Sequence, residues 1–263
     1  QVIAREVTLP WHFEDLGSSA DPDAHIAAYC RQELATPFDL QRPPLLRVAC
    51  FRLSDQRWQV VFSAHHSVID GWSAPLLMQS LHQSYMDLMA QRAPFLPEDR
   101  AYLEWSRYRL GREESDRHFW QNYLSGISQV NDLAPLFGCD LAPANTMLKP
   151  AVCRVALDEK QQSLLKERCQ LLGVTPAIVA QYAWHCLVAK VTGAAQTLVG
   201  NVVPGRDVPV EGVSHSVGLY INTLPLCLDW QTSMTLAEHI TSLQQGWMQI
   251  NEHGTQDLMA LPD

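Results

Sequence analysis

The chain of 263 residues is long enough for one large domain or two small ones with a sizeable core. Its net charge of -9 and its scattered lysines and arginines exclude the basic groove of a nucleic-acid-binding protein. No apolar run reaches the length of a membrane span, and the seven cysteines are irregularly spaced, without the pairs that structural zinc sites use. We therefore expect a globular, cytoplasmic protein with reduced thiols, and no metal, membrane or nucleic-acid partner.

The first half of the chain alternates apolar patterns of strand and helix type. In chain order we predict a strand over Val2–Leu9, a helix entered near Asp21 and stopped before Pro37, a hairpin of Leu45–Leu53 and Trp58–His66, a helix over Ser73–Gln91, and two helical segments within residues 98–126.

Residues 126–148 have weak periodicity, with two prolines and two glycines, and they are the best candidate for a domain boundary. We therefore predict an N-terminal subdomain over residues 1–148 and a C-terminal one over residues 149–263. The second is predicted to hold a strand over Lys149–Leu157, a helix over Glu159–Leu172 that stops at Gly173, a helix opened by Thr175 and Pro176, strands around Thr197–Val203 and Val217–Leu228, and a helix from Thr235. The fold class is α/β, in the α+β sense.

The stretch HHSVIDG places two histidines at the end of a predicted strand. Successive strand side chains face opposite ways, so at most one of His65 and His66 faces any given cavity. Histidine titrates near neutrality and is the usual general base. Asp70 comes close to the N-terminus of the next helix, where a carboxylate is favoured, and Gly71 would let the backbone turn sharply. The pattern is therefore typical of an acid–base site.

Two other interpretations of the histidine pair stay open at this point. The two imidazoles could have a purely structural role, in which they form local hydrogen bonds in the core. They could also bind a metal, but the remaining histidines show no zinc-type spacing.

HHSVIDG resembles the HHxxxDG signature of the condensation domains of nonribosomal peptide synthetases. The wider superfamily of chloramphenicol acetyltransferase-like enzymes shares only HxxxDG. Several other segments also resemble the condensation family, in the family's order: ATPFDLQRPPLLRVACFRL, YLEWSRYRLGREESDRHFWQNYLSG, TPAIVAQYAWHCLVAKVTG and VVPGRDVPVEGVSHSVGLYINTLPLCL. The resemblance covers essentially the whole chain.

The resemblance implies two chloramphenicol acetyltransferase-like subdomains that form a V with a central tunnel. The family's first two and last motifs have no counterpart, which implies an incomplete domain whose N- and C-terminal parts are missing. An upstream carrier protein would deliver an acyl or peptidyl thioester, and a downstream carrier an aminoacyl thioester. The 4′-phosphopantetheine arms belong to these carriers, so no bound cofactor is expected. Neighbouring synthetase domains are the other expected partners.

By the same resemblance, the catalytic role passes to His66, which would take a proton from the attacking amine or hold the amine in line. The N–H of Gly71 could position the thioester carbonyl oxygen. His65 and Asp70 would support the motif structurally.

The remaining site residues are assigned through the same resemblance. Asp70 would form a salt bridge with an arginine, either Arg47 on the paired strand or one that precedes this chain. Trp72 would pack beside the motif and Ser73 would cap the helix. Tyr220, Asn222 and Thr223 would line the tunnel, although interface packing is an equal alternative for Tyr220.

Three other functions fit the same sequence pattern. An epimerization domain shares the fold and HHxxxDG, but Trp72 directly after Gly71 and the NTLPL sequence favour condensation. A starter-type or ester-forming acyltransferase would use the same histidine, because an alcohol and an amine need the same base. A non-catalytic domain that recruits a partner enzyme is the third, and the intact motif argues against it.

Overall fold

The computed structural model describes residues 4, 6–127, 131–133, 153–230 and 233–255. The chain divides into two compact units, and each combines helices with a small sheet. The first unit contains Gln1–Tyr102 and Glu211–Tyr220, and the second contains Leu103–Val210 and Ile221–Asp263. The predicted boundary between residues 148 and 149 lies outside the described residues.

The first unit is built on a three-stranded sheet in the order β1-β2-β3, with β1 at Trp11–Asp15, β2 at Leu46–Arg52 and β3 at Trp58–Ala64. β1 runs parallel to β2, and β2 pairs antiparallel with β3. The predicted hairpin is thus confirmed, but its second strand ends at Ala64 and not at His66. Its period-two pattern places Ala49, Phe51 and Val61 on one face, where Ile26 and Tyr29 of helix α1 (Pro22–Ala35) pack against them.

The first strand differs from its prediction. Residues 6–9 lie outside any strand, and the ladder begins beyond Pro10, whose carbonyl accepts a hydrogen bond from the Val48 N–H at 3.1 Å. Proline has no N–H to donate, so it is suited to the start of a strand. The apolar pattern of Val2–Leu9 therefore did not identify the paired residues.

Two further helices follow the sheet. α2 covers Ser73–Met89 and so begins as predicted but ends two residues before the predicted Gln91, and α3 covers Ala101–Ser125, where two separate segments were predicted. Gly111 does not interrupt α3, since a glycine costs a helix interior only about 1 kcal/mol. Ion pairs one turn apart support the helix on both sides of Gly111: Arg107 with Glu104, Arg112 with Asp116, and Arg117 with Glu113.

The second unit contains most of α3, the helices α4 (Glu159–Leu172), α5 (Pro176–Thr192) and α6 (Leu236–Glu252), and the antiparallel strands β4 (Gln196–Val203) and β5 (Asn222–Asp229). α5 packs against β4, and α6 packs against β5 and α5. The core side chains of this unit are fully or nearly fully buried: Trp120, Ile178, Val203, Leu224, Leu226, Leu243 and Ile250.

The predicted helix ends in the second unit are confirmed. Gly173 ends α4 in the left-handed conformation at φ 67°, and Thr175 caps α5, which has Pro176 in its first turn. Thr235 caps α6 in a capping box with Glu238.

Two predicted strands of the second half are wrong in part. Cys153–Leu157, the described end of the predicted strand Lys149–Leu157, is not a strand. The strand predicted over Val217–Leu228 begins only at Asn222, because residues up to Tyr220 belong to the first unit and bond there. Local apolar pattern does not distinguish such a segment from a strand.

No single helix of the described residues is both long and apolar enough to cross a bilayer. α4 and α5 reach the required composition only as a pair, and the chain bends by 97° between them. The six cysteines within the described ranges are all free thiols.

Candidate active site

The two histidines of HHSVIDG lie just beyond β3, at the end of the hairpin. The strand ends at Ala64, one residue before the pair, and the His65 N–H still donates to the Leu45 carbonyl at 3.0 Å. A turn follows at once, in which the Val68 N–H donates to the His65 carbonyl at 3.2 Å. A rigid ladder thus leads directly into the turn that carries His66.

His65 is held by its neighbours. Its Nδ1 lies 2.8 Å from Ser67 Oγ and accepts the Ser67 N–H at 3.1 Å, and its ring meets Phe38 edge-on at 6.1 Å. These contacts fix the ring under the turn. They fit the supporting role that the sequence suggests.

His66 has different surroundings. Its side chain is exposed, and within the described part of the chain its imidazole makes no hydrogen bond, ion pair or ring contact. Among the described residues, no partner occupies either ring nitrogen of His66, whereas Nδ1 of His65 is engaged by Ser67.

Asp70 is 2% exposed and serves as an acceptor for backbone and side-chain donors. Its Oδ1 accepts from the Ser73 N–H at 2.8 Å and lies 2.7 Å from Ser73 Oγ. Its Oδ2 accepts from the Tyr220 N–H at 3.0 Å, and the Asp70 N–H donates to the Gly218 carbonyl at 3.2 Å. Asp70 therefore joins the start of α2 to a segment 150 residues away.

Ser73 reinforces the same connection. Its hydroxyl is fully buried, lies 2.8 Å from the Gly218 carbonyl oxygen, and accepts from the Gly218 N–H at 3.0 Å. The prediction that Ser73 caps α2 is wrong, because Trp72 is the cap residue and Ser73 is the first residue of the helix; the contact with Gly218 was not predicted. The signal for Ser73 was the small hydroxyl residue directly after the motif, but nothing local to Gly218 indicates the contact.

The proposed ion pair between Asp70 and Arg47 is wrong. The Arg47 Nε donates to Glu33 Oε2 at 2.8 Å, Nη2 donates to the Thr36 carbonyl, and the guanidinium stacks over Phe38. Arg47 sits on the α1 side of the sheet, with Ser63 as its register partner. It therefore secures α1 and not the turn that carries His66.

The ion pair with Arg47 affects the pKa of Glu33. Burial alone would raise its pKa, but hydrogen bonds from Arg47 and Ser63 and the Arg47 charge outweigh it, so the pKa lies below its usual range. The pair therefore stays charged at neutral pH.

Gly71 and Trp72 differ from expectation. Gly71 has no positive φ, and a Cβ built on it would meet nothing within 4 Å, so neither a sharp turn nor crowding requires a glycine there. Trp72 is 62% exposed and does not pack in the core. Both residues are accessible at the N-terminus of α2, where backbone N–H groups lack helical partners.

The three predicted tunnel residues fall into both units. Tyr220 is 1% exposed and meets Tyr102 edge-on at 5.2 Å in the first unit. Asn222 and Thr223 begin β5 in the second unit, where Asn222 Nδ2 donates to the Gly254 carbonyl at 2.8 Å. Tyr220 and Asn222 therefore do not share a strand face. Thr223 is exposed.

A comparison with protein-family models matches the description "Condensation domain" over residues 1–262. The chain belongs to the condensation domain family. The mixed α/β fold and the HHSVIDG motif agree with this assignment.

Relatives of this condensation domain are much longer proteins. The chain is 29% identical over 270 residues to N-(5-amino-5-carboxypentanoyl)-L-cysteinyl-D-valine synthase of Penicillium rubens, covering 98% of this chain and 7% of that protein. It is 28% identical over 257 residues to gramicidin S synthase 2 of Brevibacillus brevis, covering 96% of this chain and 6% of that protein. The chain thus spans a small part of the relatives that it matches.

A solved structure supports the fold of the condensation domain. VibH, described as a condensation enzyme of nonribosomal peptide synthesis, superposes with a TM-score of 0.72 at 21% identity, over 96% of this chain and 58% of VibH. Within the described residues, no group of three or more His, Cys, Asp or Glu side chains could hold a metal ion.

Proposed function

We propose that this condensation domain forms an amide bond between a donor acyl or peptidyl thioester and the amine of an acceptor aminoacyl thioester. The names of its relatives, which are peptide synthetases, support this reaction. The single observation that carries the assignment of the base is the exposed imidazole of His66, which follows a rigid strand and has no internal partner among the described residues. The imidazole of the other histidine, His65, forms a hydrogen bond with the Ser67 hydroxyl.

In the proposed reaction the acceptor nitrogen attacks the thioester carbonyl carbon. A C–N bond forms, the C–S bond breaks, and the proton lost by the amine ends on the departing thiol. His66 would accept that proton or orient the amine through a hydrogen bond, and either role helps only if the imidazole is held within hydrogen-bonding reach. Gly71 is exposed two residues before the start of α2, and its backbone N–H could stabilise the developing oxyanion.

The proposed substrates arrive on two carrier proteins, each with a 4′-phosphopantetheine arm that ends in the thioester sulfur. This arm belongs to the carriers, so the domain supplies no cofactor of its own. Free thiols throughout the described residues agree with a cytoplasmic synthetase. Asn222 and Thr223 remain our candidates for residues that contact the substrates.

The test of this function is His66→Ala assayed with carrier-loaded thioesters. We expect the rate of amide formation to fall about 100-fold or more, as for loss of a general base, with an unchanged melting temperature. His82→Ala is the matched control, since His82 is another exposed histidine of the same unit. Product formation by His66→Ala at the rate of His82→Ala would refute the assignment.

The same assay separates amide from ester formation. Donor thioester is offered with an amine acceptor and, separately, with an alcohol acceptor of the same shape. We expect product only from the amine. Exclusive ester formation would assign the chain to the ester-forming acyltransferases instead.

A further inference from the structure

A polar network continues from the HHSVIDG turn to the start of α3, through residues that the motif does not contain. Asp99 Oδ1 accepts from the Ala101 N–H at 3.0 Å and so caps α3. Asp99 Oδ2 accepts from Ser216 Oγ at 2.7 Å and from the Val217 N–H at 3.1 Å. One carboxylate therefore ties the start of α3 to the segment over residues 216–220, all within the first unit.

Ser216 passes this connection on towards Asp70. Its side chain is 1% exposed, and its Oγ accepts from the Tyr220 hydroxyl at 2.6 Å while it donates to Asp99. The Tyr220 N–H in turn donates to Asp70 Oδ2. Asp99, Ser216, Tyr220 and Asp70 thus form one continuous network that ends four residues from His66.

The 216–220 segment has little room to move within this network. A Cβ on Gly218 would lie 2.5 Å from Tyr102 Cδ2 and 3.0 Å from Tyr220 Cε2, so the two rings close directly on its backbone. Both backbone groups of Gly218 are bonded, the carbonyl to Asp70 and Ser73 and the N–H to Ser73. In such close packing, a displaced segment must shift its neighbours, because there is no void to absorb the change.

We propose that Asp99 and Ser216 are positioning residues for His66. They hold the 216–220 segment, the segment holds Asp70, and Asp70 fixes one end of the turn that carries the imidazole. Hydrogen bonds to a carboxylate are stronger than neutral ones, and the network has a carboxylate at each end, Asp99 at one and Asp70 at the other. The proposal rests on the proposed function of His66. A displacement of about 1 Å in a reacting group can cost a hundredfold in rate.

The chain offers a matched control for Asp99. Asp21 caps α1 in the same unit by accepting a hydrogen bond from the Ala24 N–H at 2.9 Å, and within the described residues its side chain makes no bond to the HHSVIDG turn. Asp99→Ala, Ser216→Ala, the double variant and Asp21→Ala are compared with the unchanged chain at equal fractions folded.

Kinetics with carrier-loaded thioesters give the first readout. We expect kcat to fall about tenfold in Asp99→Ala and in Ser216→Ala, with KM changed by less than about twofold, because only the geometry of His66 changes. We expect the double variant to be no slower than the slower single variant, since both act through one network. Asp21→Ala should keep the kcat of the unchanged chain.

The NMR signal of the His66 imidazole gives a second readout that needs no turnover. In histidine-labelled protein, with His66→Ala to assign the signal, we expect the His66 resonance to shift in Asp99→Ala and Ser216→Ala and to stay in place in Asp21→Ala. A resonance that stays in place in all variants overturns the positioning role, whatever the kinetics. A resonance that shifts in a chain that forms no amide bond leaves the positioning role intact and refutes the proposed function instead.

Discussion

The side chain of His185 is wholly buried in the second unit, where its Nδ1 lies 2.8 Å from Thr197 Oγ1. Among the described residues its Nε2 has no hydrogen-bond partner. Burial lowers the pKa of His185 from 6.5 to about 4, because the charged imidazolium would lose its hydration there. The folded chain therefore keeps this imidazole neutral at pH values where the unfolded chain protonates it.

This shift predicts acid sensitivity. Between pH 6.5 and pH 4 the unfolded state binds more protons at His185, so the free energy of unfolding falls as pH falls, by about 3 kcal/mol in total. His185→Gln should remove that part of the pH dependence. Urea unfolding of both proteins at pH 7 and pH 5 measures about 2 kcal/mol of this loss, with His82→Gln as the exposed control. An equal loss of stability in His185→Gln would contradict the prediction.

Asp70 is the second residue whose environment predicts the effect of a substitution on stability. Asp70→Ala leaves the buried N–H groups of Ser73 and Tyr220 without this acceptor, and we expect a loss of about 2 to 3 kcal/mol in the free energy of unfolding. Asp87→Ala is the control, because Asp87 bonds to Arg92 on the surface of the same unit. A variant that melts normally but is inactive would show that Asp70 has a direct chemical role.

The motif residues show which contacts of single side chains can be predicted from the sequence. The sequence predicts different surroundings for His65 and His66 from period-two alternation, but β3 ends at Ala64 and the difference arises in the turn. The acceptor role of Asp70 was not predicted, because its partners Gly218 and Tyr220 lie near position 220, far along the chain. The pairing of Arg47 with Glu33 escaped prediction for the same reason, since it depends on where α1 packs.

At the scale of the secondary-structure element, helix α3 shows how the length of an element can differ from its prediction. Two helical segments were predicted over this range, yet the free-energy cost of the one glycine near the centre of α3 is smaller than the gain from an uninterrupted backbone and its ion pairs. Helix ends with specific capping chemistry were predicted correctly, as at Gly173 and Thr175. Strand ends were predicted less well, because pairing partners decide where β1 and β5 begin.

Two glycines test the difference between a glycine inside a helix and a glycine that ends one. Gly111→Ala should raise the free energy of unfolding by about 0.5 to 1 kcal/mol, because alanine favours the helix interior and its Cβ would meet nothing within 4 Å. Gly173→Ala should lower it by about 1 kcal/mol, because φ is 67° there. Both changes are measured by denaturant unfolding. Changes of equal sign would contradict the assigned conformations.

At the scale of the whole molecule, the sheet of the first unit has one apolar face that the described chain leaves largely open. On that face Trp11 is 60% exposed, Phe13 52% and Trp58 49%. Exposed apolar surface of this kind promotes association. The other face of the sheet is covered by α1, so the two faces meet different surroundings.

We expect the chain alone to associate as its concentration rises, measured by sedimentation velocity. Trp11→Gln together with Trp58→Gln should reduce the association, because both indole rings leave the open face. Leu34→Gln is the control, since Leu34 is 89% exposed on α1 away from that face. Equal reduction by the control would place the association elsewhere.

Ser73 and Gly218 lie 145 positions apart in the chain, and this separation bears on how the protein is made. The segment over residues 211–220 completes the first unit, although the chain between belongs to the second. A ribosome adds roughly 5 to 20 residues per second, so about 7 to 30 s separate the emergence of HHSVIDG from that of its support. During synthesis the turn that carries His66 therefore lacks its bonds to the 211–220 segment until the second unit is largely translated.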